Sequence, residues 1–380
     1  MFDVPDYGSM MGFRERVSAY ASALRMKVEP GAVVLDIGTG TGILSFLACH
    51  AGAAKVYAVE PGNVIQLARD AARKNGLADR IEFIQALSTE IDLPEKVDGI
   101  VADIRGVLPF YSRSLVSIID ACDRFLKPDG WVVPGRESVW AALASCPEYY
   151  RPITEVWNTE PRFNFEEARV YSLNSMRATR LPPQSTLVES KRWAVLDYRR
   201  LRDLEIHTRM RWQIERGGVT HGLCMWYDCE TSPGFGFSNS PAQASSFVYK
   251  HAFFPFVEAV ELSQSDQVEV VLRADFDGSD YVFSWNTIIK TPFAATRRIF
   301  HQSTFLGTPI AERRLRKRAS EFVPAPNLDC TIDTRVMDLI RCGERLSEIA
   351  KVVLEEFPEK FKDRNAAFAR VADLSEKYSK

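Results

Sequence analysis

The segment 33-VVLDIGTGTGILS-45 predicts a buried strand that runs into a glycine-rich turn and then a helix. The apolar run ends at Asp36, and Gly38, Gly40 and Gly42 follow before apolar residues resume. Glycine lets backbone N–H groups approach a ligand closely, because it has no Cβ. The spacing G-x-G-x-G differs from the G-x-G-x-x-G of dinucleotide-binding turns. An acid at the strand end suits a cationic ligand group better than a pyrophosphate.

The next apolar run also ends in an acid. The segment 56-VYAVEPGN-63 predicts another strand, with Glu60 at its end. A carboxylate at that place can accept hydrogen bonds from both hydroxyls of a ribose. The combination of Asp36, the glycine-rich turn and Glu60 resembles the S-adenosylmethionine site of class I methyltransferases. The alternative is a glycine-rich strand–helix turn that binds no ligand.

Strand-like and helix-like segments alternate up to about residue 134. Apolar runs of strand length are separated by amphipathic stretches, and this alternation predicts an α/β fold with a parallel sheet covered by helices on both faces. The predicted strands are 33–37, 55–59, 81–84, 98–102 and 131–133, and the predicted helices are 18–27, 41–51, 62–75 and 112–126.

The pattern changes after residue 134. Alternating or β-rich segments separated by Gly, Pro, Asn and Ser predict an antiparallel β domain, and the segment 163–183 within it predicts a short helical excursion closed by two prolines. Helical periodicity returns from residue 333 to the end. The β-rich segments include 138-SVWAAL-143, 193-WAVLDY-198, 222-GLCMWYDCE-230 and 267-QVEVVLRADF-276. We therefore expect three domains, at 1–134, 135–325 and 326–380.

Composition and charge narrow the function classes. The chain has 380 residues, 26% of them charged, and a formal net charge of −2, so its overall charge does not favour nucleic acid or an anionic membrane as a partner. No apolar run approaches the roughly 18 residues of a membrane span, and the N-terminal residues lack a signal-peptide pattern. The seven cysteines form no C-x-x-C pair, so we predict no metal site. We expect a cytoplasmic protein.

Over about residues 1–325 the chain resembles the protein arginine methyltransferase family. In that family a methyltransferase domain precedes a β-barrel domain that a helical dimerisation arm interrupts, which is the order of segments described above. The resemblance implies a homodimer joined through the arm at 163–183. Apolar residues of the arm are expected to be exposed in the monomer. They are Phe163, Phe165, Tyr171, Leu173 and Met176.

The resemblance also implies a set of cofactor-binding residues. Met10 and Arg16 have the spacing of the family's N-terminal helix, in which the arginine pairs with the methionyl carboxylate, and a guanidinium fork suits that bidentate task. Tyr7 and Tyr20 are expected to form a lid over the cofactor. The remaining residues expected at S-adenosyl-L-methionine are Asp36, Gly38, Thr39, Gly40, Gly42, Ile43, Leu44, Glu60, Pro61, Ser88 and Thr89.

The substrate loop departs from the family. Members hold the guanidinium of the substrate between two glutamates, but here 102-ADIRG-106 has Asp103 at the first position, and Ser112 stands at the second. Arg105 replaces a methionine, and 247-FVY-249 replaces the family's T-H-W. An unpaired buried cation is costly, so losing one acid and adding a cation argues against ordinary protein-arginine methylation.

We assign Asp103 and Arg105 to catalysis as a hypothesis. Asp103 would orient the nucleophile or accept its proton, and Arg105 would hold a carboxylate or phosphate of the substrate. The alternative for Arg105 is an internal salt bridge. Ser112, Tyr249 and His251 are further candidates for contact with the substrate.

Three functions remain open. The first is N- or O-methylation of a small molecule or an unusual peptide that bears an anionic group. The second is a cofactor-binding but inactive relative that acts as a regulatory or scaffold partner, and the third is methylation of free or protein arginine. Outside the resemblance, the basic run 312-ERRLRKRAS-320 is expected to be a solvated strand or linker, and the tail 326–380 resembles small peptide-recognition domains of the winged-helix type or caps the barrel.

Overall fold

The computed structural model describes residues 3–160, 162–243, 249–292 and 297–379. The chain forms two compact units, one up to Pro309 and one from Ile310 onward. The domain boundaries expected after residues 134 and 325 stay predictions.

A parallel sheet forms the first part of the chain, as the alternation of segments predicts. Its strands lie in the order β3-β2-β1-β4-β5, so the strand order reverses between β1 and β4. In open α/β sheets a ligand binds beyond the carboxyl ends of the strands at such a reversal. The strands are β1 (Val33–Ile37), β2 (Lys55–Val59), β3 (Ile81–Ile84), β4 (Val97–Ala102) and β5 (Leu126–Val133).

Helices connect and precede these strands. Helix α1 begins with a capping box, in which Asp3 accepts from the backbone N–H of Asp6 and Asp6 accepts from that of Asp3. Helix α3 begins after Gly42, whose φ of 88° lies in the region that favours glycine. The helices are α1 (Val4–Gly12), α2 (Arg14–Lys27), α3 (Ile43–Ala51), α4 (Ile65–Lys74) and α5 (Ser114–Arg124).

Two antiparallel sheets follow and form the predicted β domain. One has the order β7-β12-β10-β6-β8, with β11 paired to β10, and the other has the order β15-β14-β13-β9. Buried and partly exposed residues alternate along β14, which is the pattern of a strand with one face on a core. The strands are β6 (Arg136–Ala144), β7 (Arg177–Thr179), β8 (Lys191–Asp197), β9 (Ile206–Gln213), β10 (Gly218–Ser232), β11 (Phe235–Ser238), β12 (His251–Leu262), β13 (Gln267–Phe276), β14 (Tyr281–Lys290) and β15 (Arg297–Ser303).

The predicted helical excursion contains a helix and a strand. Helix α6 (Pro147–Thr154) follows β6, α7 (Glu166–Leu173) begins the excursion, and the chain then forms β7, which pairs with β12. Phe163, Phe165 and Tyr171 are exposed, as is Val170. The expectation for Leu173 was wrong, because this residue is buried in the core of the β domain. Met176 is partly exposed and packs against buried residues.

The second unit is helical. Its helices are α8 (Glu312–Arg316), α9 (Leu328–Arg341), α10 (Leu346–Glu356) and α11 (Arg364–Tyr378). Residues of the last three form its core, among them Val336, Val353 and Val371. The expectation of a strand or linker at 312–320 was wrong at its start, where Glu, Arg and Leu are good helix formers. Within 310–379 no strand is described, so the wing of a winged-helix domain is not among these residues.

None of the helices in the described ranges combines the length and the apolar character that a membrane crossing requires.

Candidate active site

Three acids meet at the carboxyl edge of the parallel sheet. Asp36 lies at the end of β1, Glu60 directly follows β2, and Asp103 directly follows β4. Ile37 of β1 pairs with Val59 on one side and with Ala102 on the other, so the three strand ends lie side by side. This edge is where the strand order predicts a ligand.

The glycine-rich turn packs closely against its neighbours. The N–H groups of Gly38 and Thr39 both donate to the carbonyl of Val59, at 2.8 and 3.0 Å. Gly40 has a φ of 54°, and a Cβ placed on it would lie 2.6 Å from Cε1 of Tyr7. The ring of Tyr7 therefore covers the turn, in the position expected of a lid residue.

Asp36 is buried at the base of this turn. Its Oδ2 accepts hydrogen bonds from Thr39 Oγ1 and Ser45 Oγ, both at 2.6 Å. Its Oδ1 has no hydrogen-bond partner among the described residues, although buried oxygens rarely lack one. Burial raises the pKa of Asp36 to about 6, although the two hydroxyl groups lower it. The Oδ1 atom of Asp36 can therefore accept a hydrogen bond from a ligand. The sequence analysis did not predict Ser45 as a partner of Asp36.

Glu60 joins the turn to the segment after β2. Its Oε2 accepts from the N–H of Gly40 at 3.1 Å, and its Oε1 accepts from the N–H of Gly62 at 2.8 Å. The side chain is 8% exposed, so it is nearly buried but reaches the surface of the edge. Pro61 is exposed beside it. A carboxylate held in this way is positioned to accept from the hydroxyl groups of a ligand.

The other residues expected at the cofactor surround this edge. Ile43 and Leu44 begin α3, and Leu44 is buried. Ser88 and Thr89 lie in a single 3-10 turn after β3, where the carbonyl of Ser88 accepts from Arg124 Nη2 at 2.8 Å. Ser88 is buried and Thr89 is partly exposed.

The N-terminal helices α1 and α2 bring Met10 and Arg16 to the carboxyl edge of the parallel sheet, where Asp103 lies. Met10 is nearly buried, and its carbonyl accepts from Arg16 Nη1 at 3.2 Å. Nε and Nη2 of Arg16 contact the carboxylate of Asp103. The guanidinium expected to hold a ligand carboxylate is therefore paired within the chain to an acid of the substrate loop.

Tyr20 does not form a lid, and that expectation was wrong. The side chain is fully buried, because α2 turns it toward the end of β4. Its hydroxyl lies 3.2 Å from Oδ1 of Asp103 and accepts from Arg105 Nη2 at 3.0 Å. Tyr20 is thus part of the environment of Asp103.

Arg105 makes the internal salt bridge that the sequence left open as the alternative. Its Nη1 lies 3.3 Å from Oδ1 of Asp103, and its Nη2 lies 2.8 Å from Oε1 of Glu137. The side chain of Arg105 is 3% exposed and that of Glu137 is 0% exposed. The rings of Tyr227 and Phe237 lie 5.4 and 5.5 Å from the guanidinium carbon. Arg105 is therefore not presented to an anion of a substrate.

Glu137 is a residue of this cluster that the sequence reasoning missed. Its Oε2 accepts from the hydroxyl of Tyr198 at 2.7 Å. Burial raises the pKa of Glu137, although Arg105 and Tyr198 lower it. The signal was present in 138-SVWAAL-143, because Glu137 lies in phase with the buried Val139 and Ala141 of β6. An acid on the inward face of a strand requires a buried cation or donor.

The carboxylate of Asp103 is fully engaged. Oδ2 accepts from the Tyr249 hydroxyl at 3.2 Å besides Arg16, and Oδ1 contacts Tyr20 and Arg105. Burial raises the pKa of Asp103, but the positive charges of Arg16 and Arg105 lower it by more. The pKa of Asp103 is therefore below its ordinary value. Asp103 is therefore ionised at neutral pH and can take part in substrate chemistry only if one of its present donors leaves.

The remaining substrate candidates lie in different surroundings. Ser112 has a φ of 46°, and its N–H donates to Oδ1 of Asp280, between β13 and β14, at 2.7 Å. His251 is nearly buried, and its Nδ1 accepts from the N–H of Leu181 at 2.9 Å. Burial lowers the pKa of His251 to about 4, so the ring is neutral. Of the three, Tyr249 contacts Asp103; residues 247 and 248 lie outside the described residues.

One group of side chains has the composition of a metal site. Glu205, His207 and Asp275 bring potential ligand atoms within 4.8 Å of one another on the β domain. Oδ1 of Asp275 lies 3.1 Å from His207 Nε2 and 3.1 Å from Arg273 Nη2. The nearby arginine opposes a cation, so this group supports no assignment.

The sequence is similar to those of known methyltransferases, and the family match lies in the first part of the chain. The family described as ribosomal protein L11 methyltransferase (PrmA) matches residues 19–135. A probable protein arginine N-methyltransferase 6 of Arabidopsis thaliana is 28% identical over 252 residues, which are 62% of this chain and 56% of the relative. Protein arginine N-methyltransferase PRMT10 of Oryza sativa subsp. japonica is 44% identical over 135 residues, 35% of this chain and 36% of the relative. The chain thus spans about half or less of these relatives' lengths.

Solved structures resemble a larger share of the chain. A Trypanosoma brucei PRMT1 enzyme–prozyme heterotetrameric complex with AdoHcy has a TM-score of 0.72 at 19% identity, covering 78% of this chain and 97% of that one. The Arabidopsis thaliana protein arginine methyltransferase 10, in an open conformation, has a TM-score of 0.69 at 21% identity, covering 79% and 97%. The chain is thus similar to protein arginine methyltransferases and shares the fold of these structures, a class I methyltransferase domain followed by a barrel-like β domain.

Proposed function

We propose that this protein transfers a methyl group from S-adenosylmethionine to a small molecule or an unusual peptide. The observation that carries the proposal is the pair Asp36 and Glu60 around the glycine-rich turn. The unpartnered Oδ1 of Asp36 is a buried acceptor that a cationic ligand group would satisfy. The match of residues 19–135 to a methyltransferase family supports the same cofactor, as does the AdoHcy in the trypanosome complex.

The cofactor would supply a methyl group activated by a sulfonium. In this proposal Glu60 accepts from the ribose hydroxyls, and Asp36 accepts from the cationic end of the ligand. Arg16 would exchange Asp103 for the ligand carboxylate, since a guanidinium binds either carboxylate with two donors. Tyr7 would cover the site from α1 and exclude water from the transfer.

Asp103 is the residue that we assign to the acceptor. Once Arg16 has turned to the ligand, Oδ2 keeps only the hydroxyl of Tyr249 and can orient an N–H or O–H group. The acceptor lone pair forms a bond to the methyl carbon as the carbon–sulfur bond breaks, and sulfur keeps that electron pair. The proton of the acceptor passes to Asp103 or to water. Recognition of a substrate anion by Arg105 drops out of the proposal, because its guanidinium is paired with Asp103 and Glu137.

Two other functions have support. The names of the relatives favour methylation of arginine, against which stand Ser112 at the second acid position and Arg105 beside the first. The trypanosome complex joins an enzyme to a prozyme, and a regulatory role for this chain is the second alternative. The engaged carboxylate of Asp103 suits that role, because an inactive relative needs no free base.

The arm supports a homodimer as part of the proposal. Phe163 is 61% exposed, Phe165 is 45% exposed and Val170 is 51% exposed. Neighbouring exposed apolar residues of this kind mark an interaction surface. A cytoplasmic location stays an expectation from the sequence.

Calorimetry with S-adenosylhomocysteine tests the proposed cofactor. We expect the wild-type protein to bind it and Glu60→Ala to bind it much more weakly. Glu82→Gln is the matched control, since Glu82 lies on β3 and pairs with Lys55 at the surface. Absence of binding by the wild-type protein would contradict the proposal.

Turnover then separates the three functions. S-adenosylhomocysteine release is measured with small hydroxyl and amine acceptors and with arginine peptides. Release with hydroxyl or amine acceptors supports the proposed transfer, and release with arginine peptides supports arginine methylation. Cofactor binding without release supports the regulatory role.

A further inference from the structure

Arg105 is fixed in place from two sides. Its guanidinium contacts Oδ1 of Asp103 at 3.3 Å and Oε1 of Glu137 at 2.8 Å, and it donates to the Tyr20 hydroxyl at 3.0 Å. The other oxygen of Glu137 is held by Tyr198 at 2.7 Å. These side chains belong to the parallel-sheet edge, α2, β6 and the chain after β8, so long-range packing holds the cation beside Asp103.

Arg16 and Arg105 both pair with Asp103, but they differ in whether another partner could take its place. Under the proposed function Arg16 has a second partner, the carboxylate of the ligand. Arg105 is buried against aromatic rings and has Glu137 behind it, and moving it would leave Asp103 and Glu137 as unpaired buried acids. Unpaired buried charges are strongly unfavourable. Asp103 therefore keeps Arg105 as its neighbour when an acceptor binds.

The charge near the acceptor follows from this arrangement. The guanidinium of Arg105 lies beside Asp103 and is shared with Glu137, and the second acid position holds the uncharged Ser112. A cationic acceptor at Asp103 would also lie close to the buried guanidinium of Arg105, whose repulsion reduces the attraction of Asp103. An uncharged acceptor meets no such repulsion and can still donate to Oδ2.

We propose that the buried pair Arg105 and Glu137 determines specificity, so that the site takes an acceptor that is uncharged at the reacting atom: a hydroxyl, a neutral amine or an amide nitrogen. This inference rests on the proposed function. Glu137 is a positioning residue, because it acts only by holding the guanidinium of Arg105 in place. The transfer stays balanced: the acceptor gains the methyl group, sulfur keeps the electron pair of the broken bond, and the acceptor proton passes to Asp103.

A matched pair of probes tests the charge requirement. N-acetylarginine amide carries a guanidinium, and N-acetylcitrulline amide has nearly the same shape without the charge. Binding of each to the complex with S-adenosylhomocysteine is measured by calorimetry for the wild-type protein and for Arg105→Met/Glu137→Gln/Ser112→Glu. This variant removes both buried charges together and supplies the missing acid. The control is Lys55→Met/Glu82→Gln, which removes a surface pair of the same charges.

We expect the triple variant to bind the arginine probe at least tenfold more tightly than the wild-type protein does, and the control to be unchanged. The inference is overturned if the wild-type protein binds the arginine probe more tightly than the citrulline probe. It is also overturned if the triple variant shows no gain in affinity for the arginine probe, or if neither probe binds. If the triple variant does not fold, turnover of the wild-type protein decides. S-adenosylhomocysteine release with hydroxyl or amide acceptors supports the inference, and release with cationic acceptors or with none overturns it. Loss of S-adenosylhomocysteine binding by the wild-type protein would instead mark failure of the proposed function.

Discussion

Two neighbouring regions of the same sheet edge differ in how their acids are paired. At the glycine-rich turn, Asp36 keeps a buried oxygen without a partner among the described residues. At the end of β4, the oxygens of Asp103 are engaged by two arginines and two tyrosines. A buried acceptor without a partner can be satisfied by a ligand or by water, whereas an engaged acceptor must lose a donor before it can bind a further group. The proposed cofactor site therefore needs no rearrangement at Asp36, whereas the proposed role of Asp103 requires that Arg16 first move away.

The largest expected effect tests how the second region is held together. Glu137→Ala removes the counter-charge of Arg105 and leaves a fully buried guanidinium with a weaker partner. Breaking a buried pair in this way costs about 3–5 kcal/mol. Thermal unfolding should show the transition of the first unit at a markedly lower temperature.

The double variant Arg105→Met/Glu137→Gln is the comparison. It removes both charges and should lose far less stability than Glu137→Ala, because replacing a buried ion pair with neutral groups is often close to neutral. Equal losses in the two variants would show that the pair is not the reason for the effect.

The second prediction concerns the first region. Glu60→Ala removes the acceptor expected for two ribose hydroxyls and also releases the N–H groups of Gly40 and Gly62. Hydrogen bonds to charged groups contribute about 1.5–3 kcal/mol each, so loss of two of them should lower the affinity for S-adenosylhomocysteine by at least about 100-fold. Calorimetry measures the loss. A change of less than threefold would remove Glu60 from the cofactor site.

The cofactor side was easier to predict from sequence than the acceptor side. The turn, Asp36 and Glu60 are set by local spacing, and the predicted strands at 33–37 and 55–59 coincide with β1 and β2. Strand ends that neighbour one another in a parallel sheet bring their residues together without further information.

The acceptor side depends on contacts between distant segments. Arg105 and Glu137 lie on different domains in the predicted division, and no local pattern in the sequence pairs them. Tyr20 was misplaced for the same reason, since helical periodicity alone does not say which face α2 buries. The burial of Leu173 in the short helix α7 could not be predicted for a similar reason, because the buried Leu173 and the exposed Tyr171 are both large apolar residues.

The third prediction uses the pKa of Asp36. Burial raises that pKa to about 6, so the carboxylate that would meet a cationic ligand group becomes protonated as the pH falls through this value. Affinity for S-adenosylhomocysteine should fall by about tenfold for each pH unit below about 6. Asp36→Asn should bind weakly with little dependence on pH. A flat wild-type profile between pH 5 and 8 would contradict the role of Asp36.

The same shift has a consequence for stability without ligand. A carboxyl group whose pKa is raised on folding stabilises most below its unfolded value of about 3.9, and that contribution is lost as the pH rises through about 6. Ligand-free Asp36→Asn should therefore be more stable than the wild-type protein at pH 8. The advantage should shrink as the pH is lowered toward 4.

The smallest expected effect concerns the arm, which lies apart from both regions. Phe163→Ser removes an exposed ring that the homodimer would bury, and loss of one such contact raises a dissociation constant by about tenfold. Sedimentation velocity over a range of protein concentrations measures the change. Val195→Ser is the control, since Val195 is 41% exposed on β8 and lies outside the arm. A wild-type protein that remains monomeric at high concentration would remove the homodimer from the proposal, while leaving the comparison of the two acid regions intact.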